Sequence, residues 1–183
     1  MSRPATPVVY ANDEPFAIGK AKILRKSDND QVLVVAAGVT LHEALKAADK
    51  LAEAGVNIRV MDPFTIKPLD EEAIIKNARE CGGKIVAVED HFPEGGLCGA
   101  VAKVAARHCD IMLRSLSINE MPTSGPPRLL IEKYAIGANS IVNAVLAWQA
   151  IQDTKASTVP REVSKFSTLS DDLSRQMRSC MKM

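Results

Sequence analysis

Residues 85–100 read IVAVEDHFPEGGLCGA, and the reading of this stretch decides the fold. Residues 85–88 are an apolar run too short for a helix, bounded by Gly82-Gly83 on one side and Glu89-Asp90-His91 on the other, the pattern of a buried parallel strand. Beyond Pro93, Gly95-Gly96 opens a new apolar series at Leu97, Val101, Val104 and Ala105, spaced for a helix. A strand that passes to a helix through a glycine-lined turn is where α/β proteins tend to bind ligands.

Upstream, residues 31–37 form a second fully buried strand. Thr40 and Glu43 then stand at capping-box spacing ahead of a helix carried by Leu41, Ala44, Leu45, Ala48, Leu51 and Ala52 and stopped by Gly55. Residues 58–61 return as a strand, completing a β-α-β unit. Asp62-Pro63 and Lys67-Pro68 frame a rigid loop. Asp70 is set to cap the next helix, with Glu71 and Glu72 at its positive end, Ile74, Ile75 and Ala78 inward and Gly82 at its stop. Before all of these, residues 21–25 and the charged turn 26–30 predict a short edge strand, antiparallel to the strand that follows.

Downstream, residues 111–118 give the last strand. Pro122, Gly125, Pro126 and Pro127 force a loop before a short helix at 129–134, and a final helix opens at 137–139 with Ile141, Ala144, Val145 and Trp148 toward the core. Alternating strands and helices predict an α/β fold, a mostly parallel sheet with helices on both faces. Ligands in such sheets sit at the carboxyl ends of strands where the winding reverses, so Ala37-Gly38-Val39-Thr40 and Glu89-Asp90-His91 are the two candidate walls.

Three segments are expected: a lead-in over 1–20 marked by Pro4, Pro7 and Pro15, a domain over 21–153, and a tail over 154–183 rich in Ser, Thr and charge. Within the tail, residues 170–181 carry an apolar stripe that suits an amphipathic helix. Lys plus Arg is 23 against 22 for Asp plus Glu, a balance that gives no field to recruit nucleic acid or an anionic membrane, and the 4% of aromatics leaves few platforms for stacking bases. The start lacks a signal-peptide pattern and no apolar run approaches 18 residues, so the chain is expected to be cytoplasmic. Cys81, Cys98, Cys109 and Cys180 have no CxxC spacing and read as small hydrophobes in a reducing compartment; with His91 and His108 they lack the close ligand pairs of a zinc site, and no metal is expected.

Motifs for chemistry are sparse. Ala36-Ala37-Gly38-Val39-Thr40 has one glycine where a dinucleotide fingerprint needs three, and neither a phosphate-binding GxxxxGK[ST] loop nor a GxSxG nucleophile elbow occurs. Asp90-His91 has the composition of an acid-base pair, but neighbours at a strand end point to opposite sides. With Gly38, Thr40, Glu89, Gly95 and Gly96 they are candidates for a crevice or an interface. His42 and His108 read as surface residues.

The segments AAGVTLHEALKAADKL, NIRVMDPFTIKPLD, IVAVEDHFPEGGLCGAVA and MPTSGPPRLLIEKYAI resemble the C-terminal domain of transketolase, the animal type in particular, in register from about Ser2 to Ala150. The tail from Thr154 has no counterpart in it. The resemblance implies a five-stranded mixed sheet with one antiparallel edge strand in a three-layer α/β/α sandwich, and sets the strand ending at Ala37 beside the one ending at Val88. It further implies a homodimeric enzyme, dependent on thiamine diphosphate and magnesium, that transfers two-carbon ketol units between sugar phosphates in the pentose phosphate pathway.

The family's GDG motif, its activating glutamate and its proton-shuttling histidines lie in other domains. This chain by itself is therefore expected to bind no cofactor and to be inactive, because the protein must orient and deprotonate the cofactor that carries the carbanion chemistry. Ser2-Arg3-Pro4 matches the entry to the third domain, where the family has an arginine that binds the sugar phosphate, so the resemblance makes Arg3 a phosphate-binding candidate. Expected partners are the remaining transketolase domains or a second copy. The rival readings are a stand-alone protein-interaction module and a small-ligand regulatory module using the crevice.

Overall fold

The computed structural model describes residues 6–158. The chain divides into two compact units, Met1–Leu146 and Ala147–Met183. The first contains strands β1 (Lys22–Arg25), β2 (Leu33–Ala36), β3 (Arg59–Asp62), β4 (Lys84–Val88) and β5 (Met112–Leu116), with helices α1 (Val39–Glu53), α2 (Glu71–Glu80), α3 (Leu97–Ala105) and α4 (Pro127–Lys133). Helix α5 (Ala138–Thr158) begins in the first unit and ends in the second, past position 154, where the composition changes. The expected helix over 170–181 falls outside the described residues, as does Arg3.

The five strands make one sheet in the order β1-β3-β2-β4-β5. The pairs β2–β3, β2–β4 and β4–β5 are parallel, and β1–β3 is antiparallel. This is the mixed α/β sheet expected, with one correction: β1 pairs with β3 and not with β2. Both edges of β2 are taken by parallel neighbours, and its four residues are all buried, so the half-exposed β1 is left to the outer edge of β3.

One face of the sheet builds a core from Leu33, Val35, Met61, Ile85 and Ala87 against Ile74 and Ala78 of α2 and Leu97, Val101 and Val104 of α3. On the other face lies α1, packed on β2 and β3. Leu41, Ala44, Ala47, Ala48 and Leu51 of α1 are buried, while Ala52, expected inward, is exposed. Ile141, Ala144 and Val145 of α5 are also buried, as expected. The stretch Pro127–Trp148 is apolar and long enough to be weighed as a membrane span, but it is two helices broken between Lys133 and Ala138, with Ala135 at φ 54° in the break.

The local rules hold at α2: Asp70 caps it through Oδ1, which accepts from the Ala73 amide at 3.2 Å, while its Oδ2 accepts from the Ala21 amide at 3.0 Å and ties down the start of β1. They fail at α1, where the expected capping box does not form. Gly38, at φ 62° and ψ −130°, makes the turn and takes the N-cap position, so the helix starts at Val39, earlier than a Thr40 cap would give, and Thr40 falls inside its first turn. The Thr40 hydroxyl instead lies 2.9 Å from the Ala37 carbonyl and 3.0 Å from the Val88 carbonyl, joining the ends of β2 and β4.

Glu43 caps a different helix. Its Oε2 accepts from the Ala138 amide, 95 residues on, at 3.0 Å, and its Oε1 accepts from Lys46 at 2.6 Å. Burial opposes the charge on Glu43, but the bonds from Lys46 and the Ala138 amide outweigh it and hold its carboxyl below the ordinary value. A depressed folded pKa contributes stability that is present above the unfolded pKa and lost as pH falls through the folded one. The destabilisation caused by Glu43→Gln is therefore expected to be largest near neutrality and to shrink as pH falls below about 4.5. Urea titrations from neutrality to acid measure this, and a pH-independent gap would rule out the charge as its cause.

Candidate functional site

At the carboxyl ends of the strands the chain leaves a cleft of about 730 Å3. Gly38 after β2, Asp62 of β3, Asp90 after β4 and Ile118 after β5 each contribute to its wall. The lead-in at Thr6, Pro7, Val9 and Tyr10 and the α4 region at Leu130, Ile131 and Tyr134 close the sides. The cleft thus lies beyond the paired ends of β2 and β4, from which the chain leaves to α1 on one face and α3 on the other, at the reversal of the sheet.

Of the two candidate walls, only part faces this cleft. Gly38 and Asp90 line it; the buried Thr40 does not, its hydroxyl being used between the strands. His91 and Gly95 are exposed away from it, and Asp90 and His91 share no hydrogen bond: the His91 Nδ1 lies 2.7 Å from the carbonyl of Phe92 and donates there. His42, expected on the surface, is half-buried in the cleft wall because α1 starts at Val39, which turns position 42 toward the strand ends. His108 is half-buried beside Arg79, 3.4 Å from its guanidinium.

Glu89 decides what the glycine-lined turn does. Its buried carboxylate accepts from the Leu97 amide at 2.5 Å and from the Cys98 amide at 3.1 Å, so a charge carried by the end of β4 sits on the amino terminus of α3. Gly96 permits the approach. A Cβ at position 96 would stand 2.1 Å from one carboxylate oxygen and 2.9 Å from the other, although the glycine itself has an ordinary extended backbone at φ −92°. The place where an α/β protein of this shape receives an external anion is filled by the chain's own carboxylate.

The sulfur chemistry around it is inert. Cys98 lies 3.4 Å from the Ala87 carbonyl, and burial together with the neighbouring Glu89 charge pushes its thiol up to about 12. Burial likewise pushes Cys81 up to about 11. Both are free and buried, while Cys109 is exposed.

Among the described residues, none form a site that fits a diphosphate and its metal. The α3 terminus is occupied by Glu89. Among the described residues the cleft presents Asp62, Asp90 and His42 and no lysine or arginine, a poor match for a phosphorylated ligand. Among the described residues, no three His, Cys, Asp or Glu side chains come together as a metal site.

The lead-in is built into the domain. The Tyr10 hydroxyl donates to Asp62 Oδ2 at 2.7 Å, the Tyr10 ring meets Phe16 edge-on at 4.9 Å, and Phe16 packs on Phe64 at 4.6 Å. Burial and the Asp62 carboxylate raise the Tyr10 pKa well above its ordinary value, so the phenol stays protonated and donating. Further along, the Gly19 amide donates to Thr65 Oγ1 at 2.8 Å. Nothing in the sequence pairs positions 10 and 62; the aromatic run Tyr10, Phe16, Phe64 in an otherwise aromatic-poor chain is the signal that could have joined them.

A family model described as transketolase, C-terminal domain, matches residues 19–141. Transketolase-like protein 1 of Bos taurus is 47% identical over 144 residues, which cover 79% of this chain and 24% of the relative. Transketolase of Homo sapiens is 46% identical over 144 residues, covering 79% and 23%. A solved structure described as a split gene transketolase, inactive beta4 tetramer, superimposes with a TM-score of 0.71 at 35% identity, over 77% of this chain and 46% of that one. A transketolase from Campylobacter jejuni, at 16% identity and TM-score 0.51 over 70% of this chain and 18% of that one, shares the fold. The chain spans about a quarter of the length of the animal relatives.

Proposed function

The chain belongs to the transketolase C-terminal domain family, and from that premise we propose that it is the assembly-supporting, non-catalytic third domain of a thiamine-diphosphate-dependent transketolase. In this reading the whole enzyme moves ketol units between sugar phosphates in the pentose phosphate pathway, in the cytoplasm, as a homodimer. Thiamine diphosphate and magnesium are held by the domains that this chain does not span.

The observation that carries the reading is Glu89 on the α3 amino terminus: the sheet's natural anion site is spent on holding the fold. What this chain contributes is a rigid body and the segment that enters it. Arg3, at the start of that segment, is proposed to bind the phosphate of the sugar through its guanidinium fork once the other domains complete the site. Buried, reduced Cys81 and Cys98 suit a cytoplasmic setting.

The test is a chimera in which this chain replaces the C-terminal domain of human transketolase. Ketol transfer with thiamine diphosphate and magnesium is expected at more than about one hundredth of the parent rate, the loss that a misplacement of about 1 Å produces. Arg3→Ala in the chimera should raise KM for the phosphorylated sugar. The 183-residue chain alone should give no turnover. A folded but dead chimera, or cofactor-dependent turnover by the chain alone, would overturn the proposal.

A further inference from the structure

Four large apolar side chains, carried by two segments that meet, remain exposed in the structure. Phe16 is 40% exposed, Ile18 78%, Phe64 46% and Ile66 43%. They come from two segments held together: Phe16 packs on Phe64 at 4.6 Å, and one residue beyond Ile18 the Gly19 amide bonds to Thr65 Oγ1, between Phe64 and Ile66. Lys22 Nζ lies over the Phe16 ring, 4.6 Å from its centroid. Lys20 and Lys67, both exposed, flank the apolar centre.

The ridge is held by force. Phe64 has φ 57°, a left-handed backbone that a bulky side chain rarely adopts, and its amide is pinned there by a 2.9 Å bond to Asp62 Oδ1. Asp62 Oδ2 at the same time accepts from Tyr10. One carboxylate thus holds both segments in a strained arrangement whose result is to present Phe64 and Phe16 outward. Folding alone gains nothing from exposing them, and a contiguous apolar patch rimmed by polar groups marks an interaction surface.

Its position names the occupant. The family match, described as a C-terminal domain, begins at residue 19, so Phe16 and Ile18 belong to the segment on its amino-terminal side, the side on which relatives about four times as long as the matched stretch carry additional polypeptide. We propose that the Phe16–Ile18–Phe64–Ile66 ridge is the face on which the preceding domain of a transketolase-type chain docks, through an apolar surface with acidic groups at its rim to meet Lys20 and Lys67. This rests on the family role proposed above and adds the surface through which it is exerted.

Hydrogen exchange on the chimera and on the free 183-residue chain tests it. Peptides covering residues 8–20 and 62–69 are expected to exchange at least about tenfold more slowly in the chimera, while a peptide over Pro127–Lys133 is unchanged. Ile18→Asp, at a side chain 78% exposed in the free chain, should abolish the gained protection without unfolding the domain. Phe64→Ala serves as the second variant, with the same expected loss. An active chimera with no protection at the ridge overturns the docking face and leaves the family role standing; an inactive chimera with protection does the reverse. If the free chain self-associates and the ridge variants dissolve that species while leaving the chimera untouched, the occupant is a second copy and the assignment is wrong.

Discussion

Arg59→Ala will lower the unfolding free energy by about 3–5 kcal/mol, the cost of removing one partner from a buried ion pair. Arg59 sits at the start of β3 with its side chain 3% exposed, and its Nε donates to Asp30 Oδ2 at 3.1 Å, where the Asp30 side chain is 1% exposed. Its Nη1 donates to Asn77 Oδ1 at 2.7 Å and also contacts Glu80, so the guanidinium ties the turn before β2 to α2. Burial works against the charge on Arg59, but the bonds to Glu80 and Asp30 prevail and raise its pKa above the ordinary value. After truncation Asp30 keeps only the Ser27 amide at 2.9 Å and the Ser27 hydroxyl at 2.7 Å, and a buried carboxylate with neutral donors alone is poorly compensated.

The comparison that isolates the cause is a double variant, Asp30→Asn with Arg59→Met, which removes both charges and keeps most of the volume. It should be more stable than Arg59→Ala alone, because the expense lies in the orphaned charge and not in the loss of the pair. Urea unfolding at neutral pH measures both. A loss below about 1 kcal/mol for Arg59→Ala would mean that water reaches Asp30 and that this end of the sheet is not closed.

Gly96→Ala will cost about 3 kcal/mol although the residue's backbone is one that alanine adopts freely. The added methyl meets the Glu89 carboxylate, with the carboxyl carbon at 2.7 Å and an oxygen at 2.1 Å, and there is no second place for it within the turn. Glu89 must withdraw, leaving the Leu97 and Cys98 amides without their charged acceptor at the positive end of α3. Hydrogen bonds to a charged group are worth roughly 1.5–3 kcal/mol each, and their loss dominates over any gain in helix propensity from alanine.

A thermodynamic cycle separates this from simple crowding. Glu89→Ala removes the same bonds, so adding Gly96→Ala to it should cost almost nothing more, a coupling of about 3 kcal/mol between the two positions. Additive losses would mean that Gly96 is required for the path of the backbone and that the carboxylate is incidental. The same pair also reports on function. In an active chimera, Glu89→Ala is expected to lower Tm with kcat unchanged, since the carboxylate faces a helix and not a substrate.

Most of the fold was legible in the chain. The buried runs at 33–36 and 84–88, the helical spacing after Gly38 and Gly96 and the stop at Gly55 depend on short-range physics: hydrophobic period, β-branching and the backbone freedom of glycine. Asp70 as a helix cap is local in the same way, reaching only to residue 73. The quoted segments also placed the family, because long in-register motifs survive in the sequence itself.

What the sequence did not yield is the partner of each polar group. Thr40 and Glu43 have the spacing of a capping box, yet one joins two strands and the other caps a helix 95 residues away; β1 has the pattern of an edge strand, but which edge depended on β2 having both neighbours filled. Glu89 reads as one of three polar residues ending a strand, and only the folded chain turns it onto the α3 amino terminus, while Tyr10 and Asp62 meet across 52 positions. The reason is physical. Apolar burial is non-directional and follows periodicity, so a sequence can specify which face goes inside. A hydrogen bond or a charge pair needs a particular donor within about 3 Å at a particular angle, and that is set only when the sheet order brings distant segments together.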